Sequence, residues 1–255
     1  MKNPRTILIT GASSGIGEAL ARRYAGSGVS LFLSGRDALR LEAVGAACTA
    51  SGAAVSTKII DVGDQQAMAD WIADIDQATA LDLVIANAGI SGGTGGNGLR
   101  GLDAATREIF RINVDGVFNT VHPTLTAMRG RRTGQIAIVS SVAGFVGMPS
   151  SPGYSASKAA VRSYGEALRG RYARDGVEVS VICPGFVESR ITAANKFHMP
   201  FLMPVDKAAR IIVRGLARNQ GRIAFPWPTY AMIRLAAMLP VFIVEKLFSR
   251  LPDKD

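Results

Sequence analysis

Short runs of apolar, often β-branched residues alternate along this chain with longer stretches in which apolar residues recur at helical spacing. Strands are predicted at Thr6–Thr10, Val29–Ser34, Val55–Ile60, Leu81–Ala86, Gly134–Ser140, Val177–Ile182 and, very short, Arg222–Ala224. Helices are predicted at Gly15–Ser27, Arg36–Ser51, Asp64–Gln77, Asp103–Met128, Tyr154–Arg174 and Val205–Arg218. Continuous apolar strands that alternate with helices are typical of a parallel sheet covered on both faces. The pattern therefore predicts an α/β fold with a doubly wound sheet of six to seven parallel strands.

Two stretches depart from this alternation. Ser91–Gly98 is so rich in glycine that we expect a mobile loop there, and residues 225–251 are strongly apolar. No repeat, charge block or proline-rich linker divides the chain. We therefore predict one domain, with residues 1–224 as the α/β unit and residues 225–255 as an apolar helical extension. That extension is expected to cover a pocket, to pack against another subunit or to lie in a membrane interface, where Arg234 and Lys246 would suit anionic lipid.

The composition and charge of the chain limit the partners and metal sites that we expect. The 255 residues are 48% hydrophobic, and 29 Lys and Arg against 20 Asp and Glu give a formal charge of +9. Such a charge suits nucleic acid, an anionic membrane surface or an anionic small molecule. Because no basic cluster is interleaved with aromatic residues, nucleic acid is not an expected partner. The two cysteines, Cys48 and Cys183, lie far apart and indicate a reducing, cytoplasmic compartment rather than a disulfide framework. No CxxC or HExxH motif occurs, so no metal is predicted.

A glycine-rich turn follows the first predicted strand. Thr10–Gly17 reads TGASSGIG, with glycines at 11, 15 and 17 immediately before a predicted helix. Such glycines let the backbone turn tightly and let a phosphate approach the free N–H groups of the helix N-terminus. The same residues also satisfy GxSxG, the nucleophile elbow of serine hydrolases, with Ser13 as the nucleophile. That alternative needs a histidine late in the chain, where His198 lies in an irregular stretch.

A tyrosine and a lysine four residues apart, Tyr154 and Lys158, share one face of a predicted helix. A nearby ammonium favours the phenolate, so we expect Lys158 to lower the pKa of Tyr154 and to fit it for proton transfer at a carbonyl or alcohol oxygen. Ser141 ends the fifth predicted strand, where ligands bind in open parallel sheets. Each feature alone is common on structural grounds, whereas their combination with the glycine turn indicates an enzyme.

Together these motifs, in this order, resemble the short-chain dehydrogenase/reductase family over about residues 5–192. Besides the glycine turn and Ser141, Tyr154 and Lys158, the matching positions are Asp61-Val62, Asn87-Ala88-Gly89, Asn113 and Pro184-Gly185. The resemblance implies a Rossmann fold and a nicotinamide dinucleotide cofactor. The cofactor-binding residues that it implies are Gly11, Ser13, Ser14, Gly15, Ile16, Gly17, Arg36, Asp61, Val62, Asn87, Ala88, Gly89, Tyr154, Lys158, Pro184, Gly185, Val187 and Ser189.

The resemblance also implies a mechanism in which hydride passes between the nicotinamide and the substrate carbon. Tyr154 would exchange a proton with the substrate oxygen, while Lys158 holds the nicotinamide ribose and tunes Tyr154. Ser141 would orient the substrate oxygen, and Asn113 would position a water that links Lys158 to solvent. Ser140 is adjacent, but the thirteen-residue interval to Tyr154 favours Ser141. The family often has threonine where this chain has Ser189, which retains a hydroxyl.

The end of the second predicted strand indicates which nicotinamide cofactor is preferred. An acidic residue there would bind the ribose 2′-hydroxyl and select NAD(H). This chain has Gly35 at that position, followed by Arg36, which can pair with a 2′-phosphate. Asp37 argues the other way unless it caps the next helix. We therefore predict NADP(H) in preference to NAD(H).

Mostly apolar residues are expected around the substrate. Val142, Met148 and Phe186 are predicted to line its pocket, together with Ile90, Phe145, Phe197 and Met199. Arg190 is the one nearby charge that would meet an acidic substrate, but a solvated or ion-paired arginine is the favoured interpretation of it. We predict a hydrophobic ketone or secondary alcohol, such as a lipid- or steroid-like molecule, and a homodimer or homotetramer. The alternatives are a non-catalytic dinucleotide-binding sensor and the hydrolase that uses Ser13.

Overall fold

The seven predicted strands form one parallel sheet in the computed structural model, which describes residues 3–92, 98–193 and 199–248. The strands are β1 (Thr6–Ile9), β2 (Ser30–Gly35), β3 (Ala54–Ile59), β4 (Leu83–Ala86), β5 (Gly134–Val139), β6 (Val177–Pro184) and β7 (Arg222–Phe225). They lie in the order β3-β2-β1-β4-β5-β6-β7, and every neighbouring pair is parallel. The predicted doubly wound sheet is therefore confirmed, with seven strands.

Helices connect the strands and cover the sheet. They are α1 (Gly15–Tyr24), α2 (Ala38–Ala50), α3 (Gln65–Ala78), α4 (Gly98–Phe110), α5 (Gly116–Arg131), α6 (Pro152–Tyr172), α7 (Arg190–Ala193), α8 (Val205–Ala217), α9 (Trp227–Ala236) and α10 (Val241–Phe248). Side chains of α1, α2 and α8 form the core on one face of the sheet, and side chains of α3, α5 and α6 form the core on the other.

Alternation along the central strand shows how the sequence produces these two layers. All four residues of β1 are buried, but Ile7 and Ile9 belong to the core beneath α1 and α8, whereas Leu8 belongs to the core beneath α3 and α5. Successive strand side chains point to opposite faces, so a strand that is apolar throughout requires helices on both sides. The chain leaves β1 towards β2 on one side and reaches β4 on the other, which opens a crevice at their carboxyl ends.

The segment predicted as one helix, Asp103–Met128, contains an interruption that the pattern did not indicate. Helix α4 begins at Gly98, inside the predicted loop, and the chain forms a π-helical turn at Arg111–Asp115 before α5. The rest of that loop, residues 93–97, lies outside the described residues. A π-turn inserts one extra residue into a helix and is frequent at functional sites. Here the turn carries Asn113, a predicted catalytic residue.

The C-terminal segment after β7 forms two short helices, α9 and α10. Helix α9 packs on β7 and on the 3-10 turn Val142–Phe145, and it buries Thr229, Ile233 and Ala236. Much of its remaining apolar surface is exposed. No helix in the described part of the chain is both long and apolar enough to cross a membrane.

Candidate active site

A cleft of about 730 Å³ opens at the carboxyl ends of the central strands. It runs from the end of β2, past the turn between β1 and α1, to the residues that follow β5 and β6. Its predicted site residues are Gly11, Ser13, Ser14, Gly15, Ile16, Arg36, Asp61, Val62, Asn87, Ala88, Gly89, Ser141, Tyr154, Lys158, Pro184, Gly185, Val187 and Ser189. The fold thus brings residues as far apart in the chain as Gly11 and Ser189 together around one cleft.

The glycine turn is shaped by contacts that exclude side chains. Gly11 and Gly15 have positive φ angles of 66° and 59°, which favour glycine. A Cβ atom on Gly11 would lie 2.7 Å from the Cα of Ala88, and one on Gly17 would lie 2.3 Å from the Gly11 carbonyl oxygen. Gly17 is buried below the turn rather than in the cleft wall, so its part is packing. Ser14 caps α1 without a side-chain hydrogen bond, which leaves the helix N-terminus directed at the cleft.

Asn87 fastens that turn to the end of β4. Its Nδ2 donates to the carbonyl oxygens of Thr10 at 2.9 Å and Gly11 at 3.1 Å. The backbone N–H groups of Asn87 and Ala88 both donate to the Thr10 hydroxyl at 3.1 Å. Sequence reasoning predicted Asn87 as a cofactor contact and did not assign Thr10 a role. The structure shows that both side chains position the glycine turn.

Asn113 is fully buried beneath the cleft, at the π-turn between α4 and α5. Its Oδ1 accepts from the Ile90 N–H at 2.8 Å, and its Nδ2 donates to the Ile90 carbonyl at 3.0 Å and to the Ser157 hydroxyl at 3.1 Å. Ser157 in turn donates to the carbonyl of Tyr154 at 2.8 Å. The amide therefore connects the loop after β4 with helix α6, which carries the tyrosine and the lysine.

The two adjacent serines at the end of β5 have different partners. The Ser140 hydroxyl is 2% exposed and donates to the Lys158 carbonyl at 2.7 Å, so it ties the strand to α6. The Ser141 hydroxyl donates to the Pro184 carbonyl at 3.3 Å and accepts from the Ala143 N–H at 3.1 Å. It also forms a hydrogen bond with the Tyr154 side chain. The serine that meets the tyrosine is therefore Ser141.

Tyr154 and Lys158 lie on the same face of α6, as predicted, and both line the cleft. The Lys158 Nζ donates to the Val139 carbonyl at 3.0 Å and lies 5.8 Å from the Tyr154 ring centroid. Burial lowers the pKa of Lys158 to about 8. Burial also raises the pKa of Tyr154 above its ordinary value, against the opposing hydrogen bond from Ser141. The expected lowering of the tyrosine pKa by Lys158 is therefore wrong for this structure, because burial dominates.

Two arginines and one aspartate occupy the end of β2. Arg36 is exposed at the cleft, and Arg40 on α2 also lines it. Asp37 caps α2 by accepting from the Arg40 N–H at 3.0 Å, and its carboxylate also pairs with the Arg40 guanidinium. The Arg40 Nε atom is buried without a hydrogen-bond partner. Arg40 was not among the predicted cofactor-binding residues, although its position one helical turn after Arg36 indicated that it would lie on the same side of the helix.

Gly35 occupies the end of β2, where an acidic residue would select NAD(H), and the space around it is small. A Cβ atom there would lie 3.1 Å from the Cβ and 3.2 Å from the Oγ of Ser13. The glycine turn and the end of β2 therefore approach too closely for a longer side chain without movement of Ser13. At the end of β2 the cleft therefore has two arginines, Arg36 and Arg40, and the carboxylate of Asp37 is paired with Arg40.

The Asp61 carboxylate is held by two donors. Its Oδ1 accepts from the Gly63 N–H at 2.8 Å, and its Oδ2 accepts from the Arg111 guanidinium at 2.9 Å. Burial alone would raise the pKa of Asp61, but these hydrogen bonds outweigh it and hold the pKa below its ordinary value. Arg111 also pairs with Glu108. Asp61 is thus a fixed carboxylate in the cleft wall, beside the buried Val62.

The predicted substrate residues lie apart from this lining. Within the described residues, Val142 is buried in the 3-10 turn, and Met148 and Phe186 are half-buried beyond the cleft. Phe145 was predicted to line the pocket, but its ring packs against the Tyr230 ring, with the centroids 5.5 Å apart. Ile90 and Arg190 do line the cleft. Phe197 and His198 lie outside the described residues.

Comparison with known proteins agrees with this geometry. The family model described as short chain dehydrogenase matches residues 5–199. An uncharacterized oxidoreductase of Myxococcus xanthus is 40% identical over 237 residues, which cover 92% of this chain and 93% of that protein. A 3-oxoacyl-acyl-carrier-protein reductase of Aggregatibacter actinomycetemcomitans is 33% identical over 223 residues, or 86% of this chain and 88% of that one.

One solved structure is similar over nearly the whole chain. It is a short-chain dehydrogenase from Sphingobium yanoikuyae in complex with NADPH, with a TM-score of 0.80 and 25% sequence identity. The alignment covers 97% of this chain and 96% of that chain. Both the sequence and the fold are therefore shared with known oxidoreductases.

Proposed function

This chain belongs to the short-chain dehydrogenase family of oxidoreductases, and we propose that it transfers a hydride between NADP(H) and a hydrophobic ketone or secondary alcohol. The observation that carries this proposal is the meeting of Ser141, Tyr154 and Lys158 in the same cleft as the glycine turn. A proton-transfer group and a dinucleotide cradle in one crevice are what a nicotinamide-dependent reaction on a CH–OH group requires.

The cleft fits a dinucleotide. Gly11 and Gly15, whose positive φ angles shape the turn, line the cleft wall, and the N-terminus of α1 suits a pyrophosphate. Ser13, Ser14, Gly15 and Ile16 would hold the phosphates from this turn. The fixed Asp61 carboxylate and Val62 would hold the adenine at the other wall. Pro184, Gly185, Val187 and Ser189 would enclose the nicotinamide from the loop after β6.

The preference for NADP(H) is supported by the charges at the end of β2. Arg36 and Arg40 both line the cleft, so a 2′-phosphate bound there would meet two guanidinium groups. Asp37 was the argument for NAD(H), but its carboxylate is already used by the N-terminus of α2 and by Arg40. The similar dehydrogenase from Sphingobium yanoikuyae was solved with NADPH.

The bound cofactor would supply or accept the hydride at its nicotinamide ring. Tyr154 gives a proton to the substrate oxygen in reduction and takes one in oxidation. Its raised pKa keeps the phenol protonated at neutral pH, which suits the reducing direction. Ser141, which already hydrogen-bonds the phenol, orients the substrate oxygen beside it. Lys158 holds the ribose and returns protons to Tyr154, and Asn113 keeps the loop at Ile90 and helix α6 in register.

An apolar ketone or secondary alcohol is the proposed substrate. Ile90 lines the cleft, and its side chain offers no hydrogen bond to a polar substrate. Arg190, exposed at the rim, offers a positive charge to an acidic substituent near Ser189. The similar 3-oxoacyl reductase is named for a ketone substrate, which supports the same reaction type here.

The organisation of the protein is part of the proposal. We assign residues 1–224 to the cofactor-binding domain and residues 225–255 to a helical extension of it, and we expect a homodimer or homotetramer. Both Cys48 and Cys183 are buried free thiols, which accords with a reducing cytoplasmic compartment.

The two alternatives receive less support. A serine hydrolase needs a histidine beside Ser13, but His122 stacks on Phe118 in helix α5, and the other histidine lies outside the described residues. A non-catalytic sensor would not need the buried network that joins Asn113, Ser157 and Tyr154. Both alternatives lack a specific observation in their favour.

Turnover measurements test the proposal. The protein is titrated with NADPH and with NADH by nicotinamide fluorescence, and NADPH consumption is then followed against a panel of apolar ketones. We expect tighter binding of NADPH, turnover of apolar ketones, and binding without turnover for Tyr154→Phe. Ester hydrolysis abolished by Ser13→Ala would instead support the hydrolase. Cofactor binding with no turnover of any carbonyl compound would support the sensor.

A further inference from the structure

The two C-terminal helices leave an apolar surface uncovered. Its large side chains are between 38% and 78% exposed, and they are Trp227, Met232, Leu235, Met238, Leu239, Val241, Phe242 and Ile243. We call this set the C-terminal apolar surface. Contiguous patches of this kind mark interaction sites, because leaving them in water is unfavourable. In α9 the opposite face, with Thr229, Ile233 and Ala236, packs on the domain, so the exposed side chains are not a misplaced core.

Three arginines gather at the edge of this surface. The guanidinium carbons of Arg162, Arg222 and Arg234 lie 4.5, 5.1 and 5.5 Å from the centroid of the Phe145 ring. We call these residues the arginine cluster. Within the described part of the chain, Glu166 is the one carboxylate that pairs with it, through Arg162 and Arg222. Three positive charges against one negative charge leave an excess of two.

Aromatic contacts join the cluster to the apolar surface. The Phe145 ring meets the Tyr230 ring with centroids 5.5 Å apart, and Tyr230 meets Trp227 at 6.0 Å. Trp227 is 71% exposed and begins α9. Residues 226–244 contain a single charged side chain, Arg234, and the next two residues on α10, Glu245 and Lys246, carry opposite charges. The surface is thus apolar in its centre, aromatic at one edge and cationic beside that edge.

We propose that the C-terminal apolar surface docks onto the face of an anionic lipid bilayer, with the arginine cluster at the level of the lipid phosphates. Short helices with apolar residues on the free side and cations at the border lie in the plane of a membrane interface. Tryptophan and arginine are favoured at that depth. The inference does not depend on hydride transfer.

Charge decides between a bilayer and a second copy of the chain. In a two-fold symmetric dimer through this surface, each arginine cluster would meet the C-terminal apolar surface of the other copy. The residues of that surface include no carboxylate, so a second copy would leave the excess positive charge unpaired. Anionic phosphates would instead pair with the excess positive charge. Complementarity therefore favours the lipid surface.

Vesicle co-sedimentation of the full-length protein tests this. Vesicles of phosphatidylcholine, with and without phosphatidylglycerol, are mixed with the wild type and with the double variant Met238→Glu/Phe242→Glu. The matched control is Leu39→Glu, since Leu39 is an 81% exposed leucine on α2. We expect binding to the anionic vesicles, a loss of about tenfold or more in the double variant, and no change in the control. Thermal unfolding checks that every variant is folded.

A second pair of variants isolates the charge. Arg234→Gln should weaken partitioning into anionic vesicles by about fivefold, because one arginine near such a surface contributes about that factor. Arg210→Gln, at an exposed position of α8, should leave it unchanged. Absence of binding to any vesicle, equal binding to neutral and anionic vesicles, or equal losses in Leu39→Glu would overturn the proposal. So would a dimer that the double variant converts to a monomer without any wild-type vesicle binding.

Discussion

The side-chain amide of Asn113 exchanges two hydrogen bonds with the backbone of Ile90, accepting at 2.8 Å and donating at 3.0 Å. The Asn113 amide thus satisfies both the N–H and the carbonyl of Ile90 in the loop after β4, as the backbone of a neighbouring strand would. Because the same Nδ2 also meets Ser157 on α6, one buried group fixes the distance between the loop wall and the catalytic helix. The π-turn at Arg111–Asp115 is what places Asn113 at this point.

Replacing Asn113 with leucine should therefore affect both stability and turnover. The Ile90 N–H and carbonyl would lose their partners, and we expect the free energy of unfolding to fall by about 2 kcal/mol. Turnover should fall by more than the decrease in the folded fraction of the protein can explain. Thr124→Val is the control, since the buried Thr124 hydroxyl donates to the Thr120 carbonyl at 2.7 Å within α5. Urea unfolding and initial rates measure both. Full activity of Asn113→Leu would refute the positioning role.

Substitutions of the two serines at the end of β5 should have different effects, one on stability and the other on turnover. Ser141→Ala removes the hydroxyl that meets Tyr154, so kcat should fall about a hundredfold while the melting temperature changes little. Ser140→Ala removes a buried hydrogen bond to Lys158 and should cost about 1 kcal/mol of stability, with kcat largely retained. Steady-state rates and thermal unfolding of both variants give the comparison. The reverse pattern would assign catalysis to Ser140.

Cofactor preference should depend on both arginines at the end of β2. Arg40→Ala should lower the ratio of kcat/KM for NADPH to that for NADH by about tenfold, because one charge-assisted hydrogen bond is lost. Arg36→Asp should reverse the preference by repelling the 2′-phosphate. Arg22→Ala is the matched control, as Arg22 forms a similar pair with Glu18 four residues away on α1. An unchanged ratio in both cleft variants would show that neither arginine reads the phosphate.

The buried Lys158 should make the free energy of unfolding depend on pH. Its pKa is lowered to about 8 in the folded protein, from an ordinary value of 10.5. Between these values the unfolded chain binds more protons than the folded one, so the free energy of unfolding should rise with pH from about 8 to about 10.5. In Lys158→Met this rise should be absent, leaving a difference of about 3 kcal/mol across the window. Urea unfolding of both proteins at several pH values measures it. Parallel curves would contradict the lowered pKa.

Much of the fold could be predicted because it depends on local patterns. Most of the strands are buried apolar runs, although β3 is largely exposed, and each of the seven appears within two residues of its predicted bounds. Tyr154 and Lys158 share a helix face by their spacing alone, and the parallel sheet brings Ser141 and the glycine turn to the same edge. These relationships follow from periodicity and topology.

The remaining features depend on distances between distant segments. The anchoring of Asn87 to Thr10 and the pairing of Asp37 with Arg40 appear only when the strands are side by side. The pKa of Tyr154 could not be predicted from its spacing to Lys158, since burial is set by everything that surrounds the ring. The π-turn likewise has no periodic signal, because helical spacing continues on both sides of it.

Transfer of a labelled hydride tests the central claim most directly. The protein is given NADPH deuterated at both C4 positions of the nicotinamide, with an apolar ketone as substrate, and the alcohol product is analysed by mass spectrometry. The wild type should place one deuterium on the carbinol carbon, and Tyr154→Phe should do so at least about a hundredfold more slowly while binding NADPH normally. An alcohol product without deuterium, or equal rates for the wild type and Tyr154→Phe, would contradict hydride transfer assisted by this tyrosine.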